Sequence, residues 1–453
     1  MTRLSRLWLD RLAWIVHHRA TEGEERTGKA SGCVTISSGS DLTHCDFRLV
    51  RFPLCSLWLC GGSFGFRAFS RLGAGLLLAA LCLEPLGTFG QLLAIGQSAV
   101  PIAASPQDRP EGFGAKSRGG EGGRVIVVNT LADSGPGSLR EALAAEGPRI
   151  IQFAVDGTIE LQSRLRCTGG RVTIDGGSAP GKGITLRNHG IQFRGDCDDI
   201  IVRHLRVRVL TGGAEGDCLL FWGNEGGTVE RVLVDHCSLM WATDEIMNTW
   251  GQVRDFTCQW TILAEAQLPH SKGWLSGAGS DRVSIHHCLF AHNADRVPKL
   301  QGGVYDVVSN VFYNWGHNNA AKIDAGARVN LVNNCFLAGL DSNPASGCVF
   351  PDGRNEGTSI FVSGNYGPHT RTGKEDQWAN VTWYERAGSR LLERRPAPET
   401  FRSQKRFPAP AITAQSPKEA YDAILARVGA AVRDDDDLRV LEEVRTRTGR
   451  VGR

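Results

Sequence analysis

Between about residues 120 and 367 the chain repeats a short segment in which alternating apolar residues lead to a polar residue and then another apolar one. The polar residues lie 23 to 28 positions apart, and they are His236, Gln259, His287, Asn310 and Asn334. Alternation with period two and frequent β-branched residues indicate strands, and no helical pattern separates the segments. A period of this length predicts a solenoid of stacked coils.

The predicted fold class is therefore all-β, a parallel β-helix in which like residues lie above one another on successive coils. Asn310 and Asn334 are then expected to form a hydrogen-bonded ladder at a bend. An antiparallel sandwich is the alternative, but it accounts poorly for the regular spacing. A doubly wound sheet and a TIM barrel are excluded because both need helices between their strands.

Short capping helices are expected at both ends, because the open ends of a solenoid must be covered. Ser138–Glu141 is a capping-box pattern that begins a helix before the repeat. Ser416–Glu419 is a second such pattern, with proline at the first helical position, and a last helix is expected over about 435–446. The acidic run Asp434–Asp437 is assigned to the first turn of that helix rather than to a calcium site, because carboxylates favour the positive end of the helix dipole.

These patterns divide the chain into four segments. Residues 1–66 show no sustained period and are interpreted as an over-extended gene start or a disordered segment, with a genuine extra segment carrying a membrane anchor as the alternative. Residues 67–104 are typical of an export signal. Their apolar run, Leu72–Leu83, is too short to span a membrane. Residues 105–384 form the predicted solenoid, and residues 385–453 form a strap and helices that pack on it.

Composition narrows the class of protein without indicating a ligand. Glycine accounts for 55 of 453 residues, about 12% against a usual ~7%, which implies many tight turns. The formal net charge of +3 gives no reason to expect nucleic acid or a membrane surface as a partner. Eight of the 13 cysteines follow the export-like segment. Cys237, Cys288 and Cys335 occupy like positions in the repeat, which favours buried thiols over disulfides.

Charged residues on neighbouring coils are the candidates for a functional site. Three carboxylates fall near one bend, and they are Asp217, Asp244 and Glu245. Hard carboxylate oxygens bind calcium, which also relieves their mutual repulsion. Three cationic side chains follow, and they are Lys272, Arg296 and Lys299. Such cations suit a polyanion, because arginine binds carboxylates through two hydrogen bonds and lysine acts as a point charge. Solvated acidic and basic patches are the alternatives that spacing alone leaves open.

Several motifs in this region resemble those of the pectate lyase superfamily, family 1 of the polysaccharide lyases. Val234–Ser238 resembles its Asp-His-Cys motif, Trp241–Glu245 its calcium-binding aspartate motif, and Arg296–Lys299 the start of its Arg-x-Pro-x-x-Arg motif. Glu111–Gly120 and Ser134–Ala142 are similar to the bacterial branch. The likeness covers about residues 108–450. It implies a right-handed parallel β-helix and a secreted, calcium-dependent enzyme.

The resemblance also implies a metal site. Asp217 and Asp244 match calcium ligands of the family. The partner expected four positions after Asp244 is here Asn248, a weaker neutral ligand, so that Glu245 is expected to substitute for it. The implied cofactor is Ca²⁺, held by Asp217, Asp244 and Glu245.

A second set of matches concerns the substrate. Lys272 resembles the substrate-binding lysine of the family, and Arg296 matches its catalytic arginine. Gln301 stands where the last arginine of the motif is expected. One carboxylate clamp is therefore missing unless Lys299 takes its part.

The implied activity is cleavage of polygalacturonate by β-elimination, with Arg296 as the general base. Free guanidinium is almost always protonated, so Arg296 must be pushed far from its normal state by neighbouring cations or must act through water. The expected partner is an acidic polysaccharide rather than nucleic acid. The expected protein is a monomer, extracellular or periplasmic, without stable membrane association after processing.

Two other functions stay open on the sequence. A β-helix glycoside hydrolase would need a general acid and a base that activates water, and the three carboxylates could serve. A non-catalytic β-helix that binds acidic polysaccharide is favoured by Gln301 and Asn248. The presence of Arg296 together with Lys272 favours the lyase.

Overall fold

The computed structural model describes residues 109–210, 216–224, 226–277, 279–316, 319–343, 348–351, 357–372, 374–387 and 390–452. The predicted N-terminal segment 1–66 and export-like segment 67–104 lie outside these residues. Within the described ranges, no helix has the length and apolar character needed to cross a membrane.

Three parallel sheets run along a β-solenoid of about eight turns, which confirms the predicted parallel β-helix. Sheet 1 contains ten strands, in spatial order β1 (Arg124–Val128), β2 (Arg149–Phe153), β5 (Val172–Asp175), β8 (Cys197–Arg203), β11 (Val229–Asp235), β14 (Val253–Gln259), β17 (Asp281–His286), β20 (Val304–Val308), β23 (Arg328–Val332) and β26 (Ser359–Ser363).

Sheets 2 and 3 supply the other two sides of each coil. Sheet 2 contains β3 (Gly157–Glu160), β6 (Ile184–Arg187), β9 (Arg206–Arg208), β12 (Ser238–Met240), β15 (Ile262–Ala264), β18 (Leu289–Ala291), β21 (Val311–Tyr313) and β24 (Cys335–Leu337). Sheet 3 contains β4 (Leu165–Cys167), β7 (Ile191–Arg194), β10 (Leu219–Gly223), β13 (Glu245–Gly251), β16 (Lys272–Ser276), β19 (Lys299–Gln301), β22 (Ala321–Asp324) and β25 (Val349–Pro351).

Apolar side chains fill the interior of the solenoid and stack in register from coil to coil. Phe290 pairs with Phe312, and Phe312 with Phe336, in the ladder of sheet 2. Their ring centroids are 5.0 and 4.8 Å apart, which is the spacing of adjacent strands. The eight described cysteines are buried and unbridged, as their repeat positions predict.

The predicted asparagine ladder is present and longer than expected. The Asn310 side-chain amide donates to Asn334 Oδ1 at 3.0 Å, and that of Asn334 donates to Asn365 Oδ1 at 3.0 Å. The polar residues of the repeat are not all equivalent, however. His236 and His287 adopt left-handed backbone conformations at the bend, with φ of 49° and 52°, whereas Asn310 and Asn334 follow such bends. Gln259 pairs with Asp235 and so precedes the bend, which means that the sequence spacing had merged three adjacent structural positions.

The first capping helix lies where the pattern predicts it. Helix α1 (Leu139–Ala144) begins after Ser138, whose side chain accepts a hydrogen bond from the backbone N–H of Glu141. Its buried face, formed by Leu139, Ala142 and Leu143, joins the interior core. The helix therefore covers the apolar end of the solenoid beside β1, β2 and β4.

The two C-terminal helices cover a flank of the solenoid. Helix α2 (Pro417–Arg427) has the predicted start and capping box, and α3 (Asp435–Thr446) has the predicted bounds. The expectation that they cover the open C-terminal end is wrong. Their apolar faces pack on outward residues of sheet 2. Asp434 and Asp437, at the start of α3, both accept hydrogen bonds from buried Arg208 at 2.9 Å. This contact agrees with the assignment of the acidic run to a helix start.

The segment before these helices contains a feature that the sequence pattern did not indicate. Strands β27 (Thr382–Ala387) and β28 (Arg390–Pro396) form an antiparallel hairpin. The following stretch is extended and contacts sheet 1. Arg406 pairs with Asp306 of sheet 1 at 2.7 Å, and the backbone N–H of Gln415 donates to Ser309 at 3.0 Å.

The asparagine ladder generates a stability prediction. Replacement of Asn334 by alanine would leave buried donors and acceptors on both neighbouring coils unpaired, so Asn334→Ala is expected to lower the free energy of unfolding by about 2–4 kcal/mol. Denaturant unfolding measures this change, with Gln162→Ala, whose side chain is exposed, as the control. A loss no larger than that of the control would contradict a structural role for the ladder.

A second stability prediction concerns pH and buried His287. Its Nε2 lies 3.1 Å from Gln415 Oε1 and its Nδ1 2.9 Å from His286 Nδ1. Burial lowers the pKa of His287 to about 4, against the opposing effects of Glu111 and Gln415. The unfolded chain therefore binds this proton more readily, and the stability present above about pH 6.5 is lost as the pH falls towards 4.

Urea unfolding at pH 7 and pH 4.5 tests this linkage. The wild-type chain is expected to lose about 2 kcal/mol more over this range than His287→Gln, which cannot be protonated. Equal losses in the two proteins would show that His287 does not contribute.

Candidate active site

All six charged residues singled out in the sequence lie at one edge of sheet 3, where the chain turns into its strands. Asp217 precedes β10, and Asp244 and Glu245 stand at the start of β13. Lys272 begins β16, Lys299 begins β19, and Arg296 lies in the turn before β19. In the ladder Glu245 pairs with Lys272, and Lys272 forms a bridge with Asp295. Adjacent coils are about 4.8 Å apart, so the six residues occupy one continuous edge.

The edge has an acidic end formed by Asp217, Asp244, Glu245 and Asn248. Buried Arg164 donates to Asp217 Oδ2 at 2.9 Å. The Asn248 side-chain N–H groups lie 3.5 Å from Asp217 Oδ1 and 3.2 Å from Glu245 Oε2. Burial raises the pKa of Asp217 well above its ordinary value, Asp244 and Glu245 raise it further, and Arg164 opposes the shift.

Two cationic side chains lie against the same carboxylates. His270 Nε2 is 3.0 Å from Asp244 Oδ1 and 3.8 Å from Glu245 Oε1. Burial acts to lower the pKa of His270, but the two carboxylates outweigh it and raise that pKa to about 9. The Arg296 guanidinium donates a short hydrogen bond to Glu245 Oε1. The acidic end is thus compensated by cations of the chain itself.

The donor atoms at the acidic end suit a hard divalent cation. The amide oxygen of Asn248 is buried and accepts no hydrogen bond from the described residues, although the amide nitrogen contacts both Asp217 and Glu245. Ligand atoms of Asp244, Glu245 and His270 all lie within 4.8 Å of one another. The two carboxylates of that group, together with the amide oxygen of Asn248, are the kind of ligand that calcium takes, whereas the His270 nitrogen is not. The residues present therefore fit the cation that the sequence motifs imply.

Lysines dominate the other end of the edge. Asp295 Oδ2 accepts from Lys272 Nζ at 2.9 Å, and Lys322 Nζ lies 2.7 and 2.8 Å from the two Asp295 oxygens. Lys299 Nζ is 3.4 Å from Asp324 Oδ2. Burial would raise the pKa of Asp295, but Lys322 and Lys272 hold it well below its ordinary value. This end is called the basic end below, and it comprises Lys272, Lys299, Lys322, Asp295 and Asp324.

The surroundings of Arg296 differ from those expected. The sequence left two possibilities, that neighbouring cations push Arg296 towards its neutral form or that it acts through water, and its partners here are carboxylates rather than cations. Burial lowers the pKa of Arg296, and the charges of Glu245, Asp295 and Asp244 outweigh burial and raise it. In this arrangement Arg296 is a protonated partner of Glu245.

Sequence reasoning missed several residues of the edge, namely Arg164, His270, Asp295, Lys322 and Asp324. Lys322 was detectable, because it lies 23 positions after Lys299, which is one period of the repeat, and pairs with it in the ladder. His270 is two positions from Lys272. Arg164 lies three coils before Asp244, and no local motif indicated it. The Asp-His-Cys motif at Asp235 lies at the bend between β11 and β12, away from this edge.

Comparisons with known proteins agree with this architecture. The chain is 34% identical over 368 residues to "Probable pectate lyase C" of Aspergillus fumigatus, covering 80% of this chain and 81% of that protein. It is 36% identical over 290 residues to the protein of that name from Emericella nidulans, covering 63% and 62%. These relatives are fungal, so the comparison does not support the bacterial branch. No protein-family model matches the chain.

A solved structure shows the same fold. The crystal structure of Jun a 1, the major allergen from cedar pollen, matches with a TM-score of 0.51 and 18% identity, covering 72% of this chain and 93% of that one. At this identity the likeness shows the parallel β-helix alone.

The acidic end generates a prediction that needs no substrate. Calcium is expected to raise the thermal unfolding midpoint, because a ligand that binds only the native state stabilises that state. At a calcium concentration of a hundred times Kd the stabilisation is about 2.7 kcal/mol. Asp244→Asn is expected to lose most of this response. Asp422→Asn, on the exposed face of α2, is the matched control and should keep it. An unchanged calcium response in Asp244→Asn would place the cation elsewhere.

Proposed function

Because the chain belongs to the pectate lyase family, we propose that it cleaves polygalacturonate by β-elimination at the edge of sheet 3, with Ca²⁺ at the acidic end. One observation carries the proposal: oxygen ligands and a row of lysines occupy consecutive coils of the same edge. A polymer laid along this edge would meet a cation site first and ammonium groups next. Each uronate carboxylate would therefore find a positive partner.

The reaction requires charge stabilisation more than a nucleophile. The hydrogen that leaves is alpha to a uronate carboxylate, and its loss builds a second negative charge beside the first. The carbon–oxygen bond beta to that carboxylate then breaks, so that a carbon–carbon double bond forms, and the glycosidic oxygen leaves with the next sugar and takes up a proton from solvent. A divalent cation held by Asp217, Asp244, Glu245 and Asn248 would supply positive charge for the developing anion.

The side chains of this protein have distinct roles in the proposal. Lys272 and Lys299 bind and orient substrate carboxylates as point charges. Arg296 stands between the acidic and basic ends and, once it has given up its own proton to solvent, receives the substrate proton, directly or through a water molecule. Its contact with Glu245 must open first, since the shared hydrogen bond holds Arg296 in its protonated form. A cation held by Glu245 and a substrate carboxylate beside Arg296 would replace the partners that these two side chains have in each other.

Contacts of the carboxylates favour elimination over hydrolysis. An inverting or retaining hydrolase needs one protonated carboxyl at the glycosidic oxygen and a second group free to act on water or sugar. Here Asp217 is paired with Arg164, Asp244 with His270, and Glu245 with Arg296. A binding protein without activity is the remaining candidate, supported by the neutral Gln301, and the assay below separates it.

The protein is also proposed to act outside the cytoplasm. The export-like pattern at residues 67–104 supports secretion, to the extracellular space or the periplasm, where pectate is met as a polymer. A single solenoid carries every proposed site residue, which supports action as a monomer.

Release of an unsaturated, ultraviolet-absorbing product tests the function. The protein is expected to form this product from polygalacturonate in alkaline buffer with calcium, and excess chelator should abolish it. Arg296→Ala is expected to lower kcat by about 10²–10⁴-fold, the usual contribution of a general base. Lys418→Ala, an exposed lysine on α2, is the control.

The outcomes separate the alternatives. Product that contains new reducing ends without ultraviolet absorbance would indicate hydrolysis. Polymer binding without any product would indicate a binding protein. Full activity of Arg296→Ala would assign the base to another residue.

A further inference from the structure

We propose that Lys322 binds the carboxylate of the uronate next to the one being cleaved, and so replaces the second arginine that the Arg296 motif lacks. This inference rests on the proposed function and extends its substrate site by one coil. Lys322 belongs to none of the motifs that point to the site. Three independent features of the basic end lead to it.

The first feature is position. Lys322 pairs in register with Lys299 across β19 and β22, so it occupies the same place one coil further along the solenoid. Asn248, Leu275 and Lys299 precede it in the same outward-facing column. Successive members are about 4.8 Å apart, which is comparable to the length of one pyranose in an extended chain. A polymer that follows this column therefore presents its next sugar unit to Lys322.

The second feature is the state of Lys299. Gln301 pairs in the ladder with Asp324, and Asp324 Oδ2 lies 3.4 Å from Lys299 Nζ. Lys299 was the sequence candidate for the missing clamp, but an acidic neighbour already neutralises it. Burial also lowers the pKa of Lys299, and Asp324 only partly offsets this. Lys299 alone is therefore a weak replacement for an arginine.

The third feature is the charge shared at Asp295. Lys272 and Lys322 both donate to this one carboxylate, which leaves the trio with one excess positive charge. An ammonium group has three donors, and Lys322 uses two at most on Asp295. The Lys322 side chain is 21% exposed, so its remaining donor has access to solvent. A second carboxylate can join this group without an unpaired charge being created.

If Lys322 has this role, the site requires a substrate with free carboxylates on two adjacent uronate units. One uronate carboxylate lies at the reacting unit beside Arg296 and Lys299, and the next lies one coil further along at Lys322. A methyl ester on that next unit would remove the charge that Lys322 recognises. The wild-type protein is therefore expected to show a KM that rises as the methyl-ester content of the polymer increases.

Steady-state kinetics of Lys322→Met test the proposal. The KM for polygalacturonate is expected to rise about ten-fold, while kcat changes much less, because the residue lies away from the bonds that break. Its KM should also depend less on ionic strength and on methyl-ester content. Lys322→Arg should restore the KM to within about two-fold. Lys418→Met, which removes an exposed lysine paired with Asp422, is the matched control.

A merely structural role for Lys322 gives a different pattern. If Lys322 only neutralises Asp295, then Lys322→Met would lower the unfolding midpoint and leave KM and its ester dependence unchanged, which would overturn the proposal. Lys322→Gln, which keeps a polar terminus near Asp295, serves for the same measurements if the methionine variant does not fold.

Failure of the proposed function would be recognised separately. If the wild-type protein releases no unsaturated product, calorimetric binding of polygalacturonate in calcium replaces the kinetic readout. Weaker binding by Lys322→Met than by Lys418→Met would still support a carboxylate site at Lys322. Equal binding by the two variants would overturn it.

Discussion

In-register pairing of parallel coils is the constraint on which both the fold and the site depend. Each residue on the surface of the solenoid lies directly above the residue one period later, about 4.8 Å away. Stacked phenylalanines in the interior and the asparagine ladder at the bend use this spacing for packing and hydrogen bonding. The same spacing brings Glu245 beside Lys272 and Lys299 beside Lys322. Residues distant in sequence thus form one edge.

The spacing also limits which charges can follow one another. Unpaired like charges on adjacent coils repel, and burial makes that repulsion costly. The acidic end is compensated by Arg164, His270 and Arg296, and the lysines are compensated by Asp295 and Asp324. In the proposed function, a cation and a polyanion bound together would replace these internal pairs, one charge for another. The preorganised charges of the edge explain why no nucleophile is required.

The repeating parts of the molecule were predictable from sequence, and the contacts between distant segments were not. The period of about 23 residues predicted the solenoid, and the capping boxes at Ser138 and Ser416 predicted helices with the observed starts. Spacing could not show that Gln259 and Asn310 stand at different structural positions, because a shift of two residues at a bend changes the period of about 23 residues only slightly. The sequence pattern also could not show where α2 and α3 pack, since an amphipathic helix can pack on either the flank or the open end of a solenoid.

The same limit applies to the site. Motifs identified Asp217, Asp244 and Arg296, because their neighbours in sequence are distinctive. The partner of Arg296 depends on which coils are adjacent, and the carboxylate neighbours found here reverse the expected direction of its pKa shift. The most direct test is a crystal structure of Arg296→Ala with calcium and an oligogalacturonate. The account predicts a cation on the oxygens of Asp217 and Asp244, with uronate carboxylates towards the lysines. A sugar chain on another face of the solenoid would contradict it.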